Sequence, residues 1–94
     1  MTRMSDSEIQ SALAAIPDWT VINGELQKTF QFETFMRAIR FVNRVAEAAE
    51  LSNHHPDILI RYSKVTLTLS THDAGGITSR DLAAATEADT LAKS

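Results

Sequence analysis

Apolar and polar residues alternate with a period that switches along the chain, and each switch marks a new element. Ser5-Asp6-Ser7-Glu8 has the S-x-x-E spacing of a capping box, with Ile9, Leu13 and Ile16 following at helical intervals. This predicts a short first helix running to about Ala15 and ended by Pro17-Asp18. Trp19-Thr20-Val21-Ile22 and the run from Glu25 to Phe32 flank Asn23-Gly24, a dipeptide suited to the positive φ angles of a two-residue hairpin turn. Leu26, Phe30 and Phe32 share one face of the second strand, opposite Glu25, Gln27, Thr29 and Gln31, so one side is buried and the other wet.

From Thr34 to about Leu51 the period becomes 3.6, with Phe35, Ile39, Val42, Ala46 and Ala49 as the apolar stripe and Arg37, Arg40, Arg44 and Glu47 on other faces. Two further strands are predicted at Ile58–Tyr62 and Val65–Thr71, joined tightly at Ser63-Lys64, with Val65, Leu67 and Leu69 alternating against Thr66, Thr68 and Ser70. Gly75-Gly76 breaks the chain, and Thr78-Ser79-Arg80-Asp81 opens a last helix with Thr78 as N-cap and Ile77 stapled onto Leu82. The order α-β-β-α-β-β-α predicts an α+β two-layer sandwich: a four-stranded antiparallel sheet with three helices on one face. Its other face, rich in Thr and Gln, is left exposed or available to a partner subunit.

Composition narrows the chemistry. A length of 94 residues is read as one domain, 1–94, with a single core. No apolar run reaches the length of a membrane span, and Met1–Asp6 lacks the apolar stretch of a signal peptide, so a cytoplasmic, non-membrane protein is expected. Without cysteine there is no disulfide, thiolate or cysteine-ligated metal chemistry, which leaves His, Asp and Glu as proton carriers or ligands. A net charge of −3 argues against nucleic-acid binding. Arg37, Arg40 and Arg44 share a helix side that reads as a solvated or intersubunit face.

All three histidines fall in one stretch, as His54-His55-Pro56 and His72, with Glu50 four residues before the pair and Asp81 nine after His72. Imidazole exchanges protons near neutral pH, so this concentration marks a candidate acid-base site. Pro56 favours an extended entry into the third strand, while His72 is expected at the C-terminal end of the antiparallel fourth. The hairpin therefore returns His72 beside the pair, and Asp81 reaches the same sheet end. Taken singly, Glu50 and His54 form an i, i+4 surface pair, Asp81 completes a capping box, and His72 is structural. Convergence favours function, because packing does not require three imidazoles at one place. A metal is disfavoured: adjacent residues of an extended segment point to opposite sides, and there is no H-x-x-x-H or H-E-x-x-H pair. No G-x-S-x-G elbow is present, and Gly75-Gly76 lacks the lysine and spacing of a P-loop.

Glu50, His54-His55-Pro56, Tyr62, His72 and Asp81, with Asn53 before the pair and Thr71-His72-Asp73 followed by a glycine, resemble the pattern of the pterin-4a-carbinolamine dehydratases over essentially the whole chain. The resemblance implies elimination of water from a 4a-hydroxytetrahydropterin, the product of pterin-dependent aromatic amino acid hydroxylases, to give quinonoid dihydropterin without metal or cofactor. It implies that His54, His55 and His72 line the site, with His54 and His72 as acid and base and His55 contacting and orienting the pterin while sharing in proton transfer. Asp81 would orient an imidazole, Glu50 would support His54, and Pro56 and Asp73 would complete the surroundings. The family also implies a homodimer or homotetramer. The alternative it offers is a non-catalytic binding, assembly or dimerisation-cofactor protein with the same fold.

Overall fold

Ser5 begins the first element as its spacing predicts, and the computed structural model describes residues 2–93. The Ser5 hydroxyl accepts the Glu8 amide at 3.2 Å and the Glu8 carboxylate accepts the Ser5 amide at 2.8 Å, closing the capping box of α1 (Asp6–Leu13). Hydrogen bonding from the Ser5 backbone amide first, and then from the Ser5 side chain, holds the Glu8 carboxyl below its ordinary range. The regular helix stops at Leu13 rather than Ala15. Bonds from Ala14, Ala15 and Ile16 back three residues tighten the chain before Pro17, which disfavours helical geometry at Ile16.

Strands β1 (Thr20–Ile22) and β2 (Glu25–Gln31) pair antiparallel across Asn23 and Gly24, whose φ angles of 52° and 76° are those of the expected turn. Helix α2 (Phe35–Ser52) follows, then β3 (Asp57–Arg61), β4 (Lys64–Leu69), a short 3-10 turn (His72–Ala74) and α3 (Ser79–Ala92). The sheet order is β1-β2-β4-β3, antiparallel throughout, so the predicted α+β sandwich is the observed one. Leu26, Phe30, Val65, Leu67 and Leu69 form the sheet's contribution to the core, together with Trp19, Phe41, Ile77 and Ala85. On the opposite face Thr29 and Thr66 share a hydrogen bond at 2.7 Å, and the Gln27 amide donates to Thr68 at 3.2 Å.

Three details depart from the expected pattern. The stripe that α2 buries is Ala38, Phe41, Val45 and Ala49, with Phe35 exposed, so the helix is rotated by about one residue from the predicted face. Phe41 sets that rotation: its ring packs 4.7 Å from Phe30 and 5.0 Å from Phe32, and the small Ala38 and Ala49 let the helix approach the sheet. The β3–β4 turn is Tyr62-Ser63, with Arg61 opposite Lys64 and Tyr62 at a positive φ of 54°. Lys28 interrupts the apolar face of β2 because its ammonium reaches Asp89 of α3 at 2.7 Å, beside the Trp19 indole N–H that donates to the same carboxylate. Among the described residues no helix is long and apolar enough to cross a membrane.

Candidate active site

The end of α2 determines where the two adjacent histidines go. Asn53 takes the left-handed conformation (φ 51°, ψ 43°), its amide donates to the Glu50 carbonyl at 3.3 Å, and the His54 amide donates to the Ala49 carbonyl at 3.1 Å. Those two bonds make a Schellman motif, in which asparagine is the commonest substitute for glycine. The Arg80 guanidinium, from the first turn of α3, donates to the carbonyls of Ser52 and Asn53 at 3.3 and 2.7 Å and ties the two helices together at this point. With the chain reversed at Asn53, His54 turns inward beneath α3 and His55 outward toward solvent.

His54 meets Asp81. Its Nε2 lies 2.6 Å from Asp81 Oδ1, the imidazole is only 10% exposed, and the carboxylate is fully buried. Asp81 also closes the capping box of α3, accepting the Thr78 amide at 2.9 Å, and it accepts the Thr71 hydroxyl at 2.8 Å. Asp81 is thus both the cap and the partner of an imidazole, and it joins the His54 segment to the residue just before His72. Thr71, Thr78 and Arg80 carry this arrangement, and sequence reasoning did not single them out for the site. Thr78 was visible only as a cap, Thr71 only as the residue flanking His72 in the family pattern, and no local pattern marks Arg80.

His55 meets Glu50: Nε2 and Oε2 are 2.5 Å apart, with both side chains largely exposed. Glu50 therefore supports His55 and not His54, because the reversal at Asn53 carries His54 away from the last turn of α2 and brings His55 back over it. His72 is displaced from its expected place as well. Strand β4 ends at Leu69, and His72 opens the 3-10 turn, exposed and without a side-chain hydrogen bond among the described residues. That turn is clipped shut by the Thr71–Gly76 bridge and by Gly75 at a φ of 72°. Asp73 sits beside His72, also exposed, with no side-chain hydrogen bond or ion pair among the described residues. Pro56 is half-buried and lines, with His54, a cavity of about 440 Å³ between Ala48 and Ala49 of α2, Leu69 of β4 and Ala84 of α3. Neither His55 nor His72 lines it.

The arrangement offers two imidazoles already paired with carboxylates and a third unencumbered, at one end of the sheet. Such groups can donate to one atom of a ligand while accepting from another. Among the described residues no three His, Asp or Glu side chains converge as metal ligands would. Comparison with known proteins matches the pterin 4 alpha carbinolamine dehydratase family model to residues 2–91. A Nocardia farcinica protein named "Putative pterin-4-alpha-carbinolamine dehydratase" is 53% identical over 90 residues, covering 96% of this chain and 95% of that one. The crystal structure of a transcriptional coactivator/pterin dehydratase from Brucella melitensis superposes with a TM-score of 0.93 at 31% identity, covering 97% of this chain and 99% of that one. A pterin dehydratase-like protein identified as a RuBisCO assembly factor in the alpha-carboxysome is similar at a TM-score of 0.67 and 26% identity, over 81% of this chain and 88% of that one.

Proposed function

The chain belongs to the pterin 4 alpha carbinolamine dehydratase family, and from that premise we propose that it eliminates water from a tetrahydropterin hydroxylated at ring carbon 4a, releasing quinonoid dihydropterin. The bond from carbon 4a to the hydroxyl oxygen breaks as that oxygen takes a proton, and the ring nitrogen N5 gives one up. His54 and His72 serve as the acid and base of this exchange, and His55 contacts and orients the pterin. Positioned groups of this kind contribute roughly 10²–10⁴-fold in rate. Asp81 orients His54, and Glu50 plays the same part for His55.

One observation carries the reading: the buried Asp81 carboxylate bonds both His54 and Thr71, so one group ties the His54-His55 segment to the segment that presents His72. The substrate arrives from a pterin-dependent aromatic amino acid hydroxylase, and the working form is a homodimer or homotetramer. The test follows quinonoid dihydropterin formation from freshly prepared 4a-hydroxytetrahydropterin, with and without chelator. Acceleration that survives chelation is expected. No acceleration would point instead to a binding or assembly role of the kind named for the carboxysome protein, and loss on chelation would require a metal.

A further inference from the structure

Hydrogen atoms can be counted around Asp81, and the count runs in one direction. The Thr71 hydroxyl has a single hydrogen and gives it to Asp81 Oδ2 at 2.8 Å, so the 2.8 Å contact between Thr71 Oγ1 and Thr78 Oγ1 uses the hydrogen of Thr78. Thr78 Oγ1 in turn accepts the Arg80 amide at 3.3 Å. The result is a directed chain, Arg80 N–H to Thr78 to Thr71 to Asp81, and the Thr78 amide delivers a second bond to the same Oδ2 at 2.9 Å. Only Oδ1 is left to face His54 Nε2. Donors converge on this carboxylate at the N-terminal end of α3, where an anionic oxygen accepts better than a neutral one.

We propose that Thr71 and Thr78 are positioning residues which, through Asp81, hold neutral His54 in the tautomer protonated at Nε2 and leave Nδ1 as its proton-exchanging nitrogen. Among the described residues Nδ1 has no hydrogen-bond partner, and no buried side-chain nitrogen or oxygen is left unpaired, so Nδ1 is reached by solvent. The nitrogen facing the substrate is thereby named, which the residue order alone leaves open. The assignment to catalysis rests on the dehydratase reading, whereas the tautomer does not.

The test is therefore split. Long-range 1H–15N correlation spectra of histidine-labelled protein, taken where the ring is neutral, read the tautomer with no substrate present. The expected spectrum has His54 protonated at Nε2, and protonation at Nδ1 would overturn the proposal whatever the enzyme's activity. In Thr71→Val the Nε2–H population falls and kcat drops roughly tenfold with KM little changed, the order that outer partners of an oriented imidazole contribute. Thr71→Ser restores both readouts. An unchanged spectrum in Thr71→Val would remove Thr71 from the role, and a changed spectrum with unchanged kcat would remove Nδ1 from the proton transfer. Should Thr71→Val fail to fold, the wild-type and Thr71→Ser spectra still decide the tautomer.

Discussion

His54 and His55 are neighbours in sequence, and each is paired with a carboxylate through Nε2 at nearly the same distance, yet their surroundings are opposite. The His54–Asp81 pair has 10% and 0% exposure, whereas the His55–Glu50 pair has 54% and 77%. In water an exposed carboxylate–imidazole contact competes with solvent and contributes about 0–1 kcal/mol, so Glu50 guides His55 without fixing it. Beneath α3 the Asp81 carboxylate has no solvent alternative and its other donors are protein groups, so the ring it holds has one orientation. One imidazole is set by the fold, and its neighbour is free to follow a ligand.

The contrast is broken most severely at the buried carboxylate. Asp81→Ala leaves the His54 ring N–H, the Thr71 hydroxyl and the Thr78 amide without their acceptor, and urea unfolding should show a loss of about 3–5 kcal/mol. A loss below about 1 kcal/mol would place Asp81 with the exposed pair. The next largest effect is expected at the reversal that separates the two rings. Asn53→Ala puts a methyl-bearing residue into the left-handed region and should cost about 1–2 kcal/mol in thermal or urea unfolding, while Asn53→Gly should cost nothing. Equal stability of the two variants would mean that the Schellman motif does not direct the histidines. Smallest of all, Glu50→Gln should change stability by less than about 1 kcal/mol, and addition of salt should narrow the difference further. A larger, salt-insensitive loss would erase the distinction between the pairs.

Local chemistry made much of this legible. The capping boxes at Ser5 and Thr78, the turn at Asn23-Gly24 and the period-2 faces of β2 and β4 depend on residues within a few positions of one another, and each formed as the spacing implied. The rotation of α2 was not legible, because Phe35, Ile39, Val42, Ala46 and Ala49 make as good a stripe as Ala38, Phe41, Val45 and Ala49, the two sharing only Ala49. Only Phe30 and Phe32, in β2 and just beyond its end, decide between them. The partner of Glu50 was missed for a different reason: an i, i+4 rule assumes that the helix continues, and Asn53 ends it. That signal lay in the chain, since asparagine is the residue after glycine most at ease in the left-handed region. The short glycine-containing loop after His72 was expected to let Asp81 reach the sheet end where His54 lies, and the two side chains meet there. The bond of Asp81 to Thr71 spans ten positions with no periodic mark, and it emerges only from the three-dimensional fold.

The central claim is that the imidazoles at this sheet end move the protons of the dehydration, and it is tested most directly by comparing the rate of quinonoid dihydropterin formation in wild type, His55→Ala and His72→Ala at matched folded concentration. Both residues are exposed, so their removal should leave the thermal midpoint nearly unchanged while lowering the rate by roughly tenfold or more. Near-wild-type rates in both variants would contradict the account.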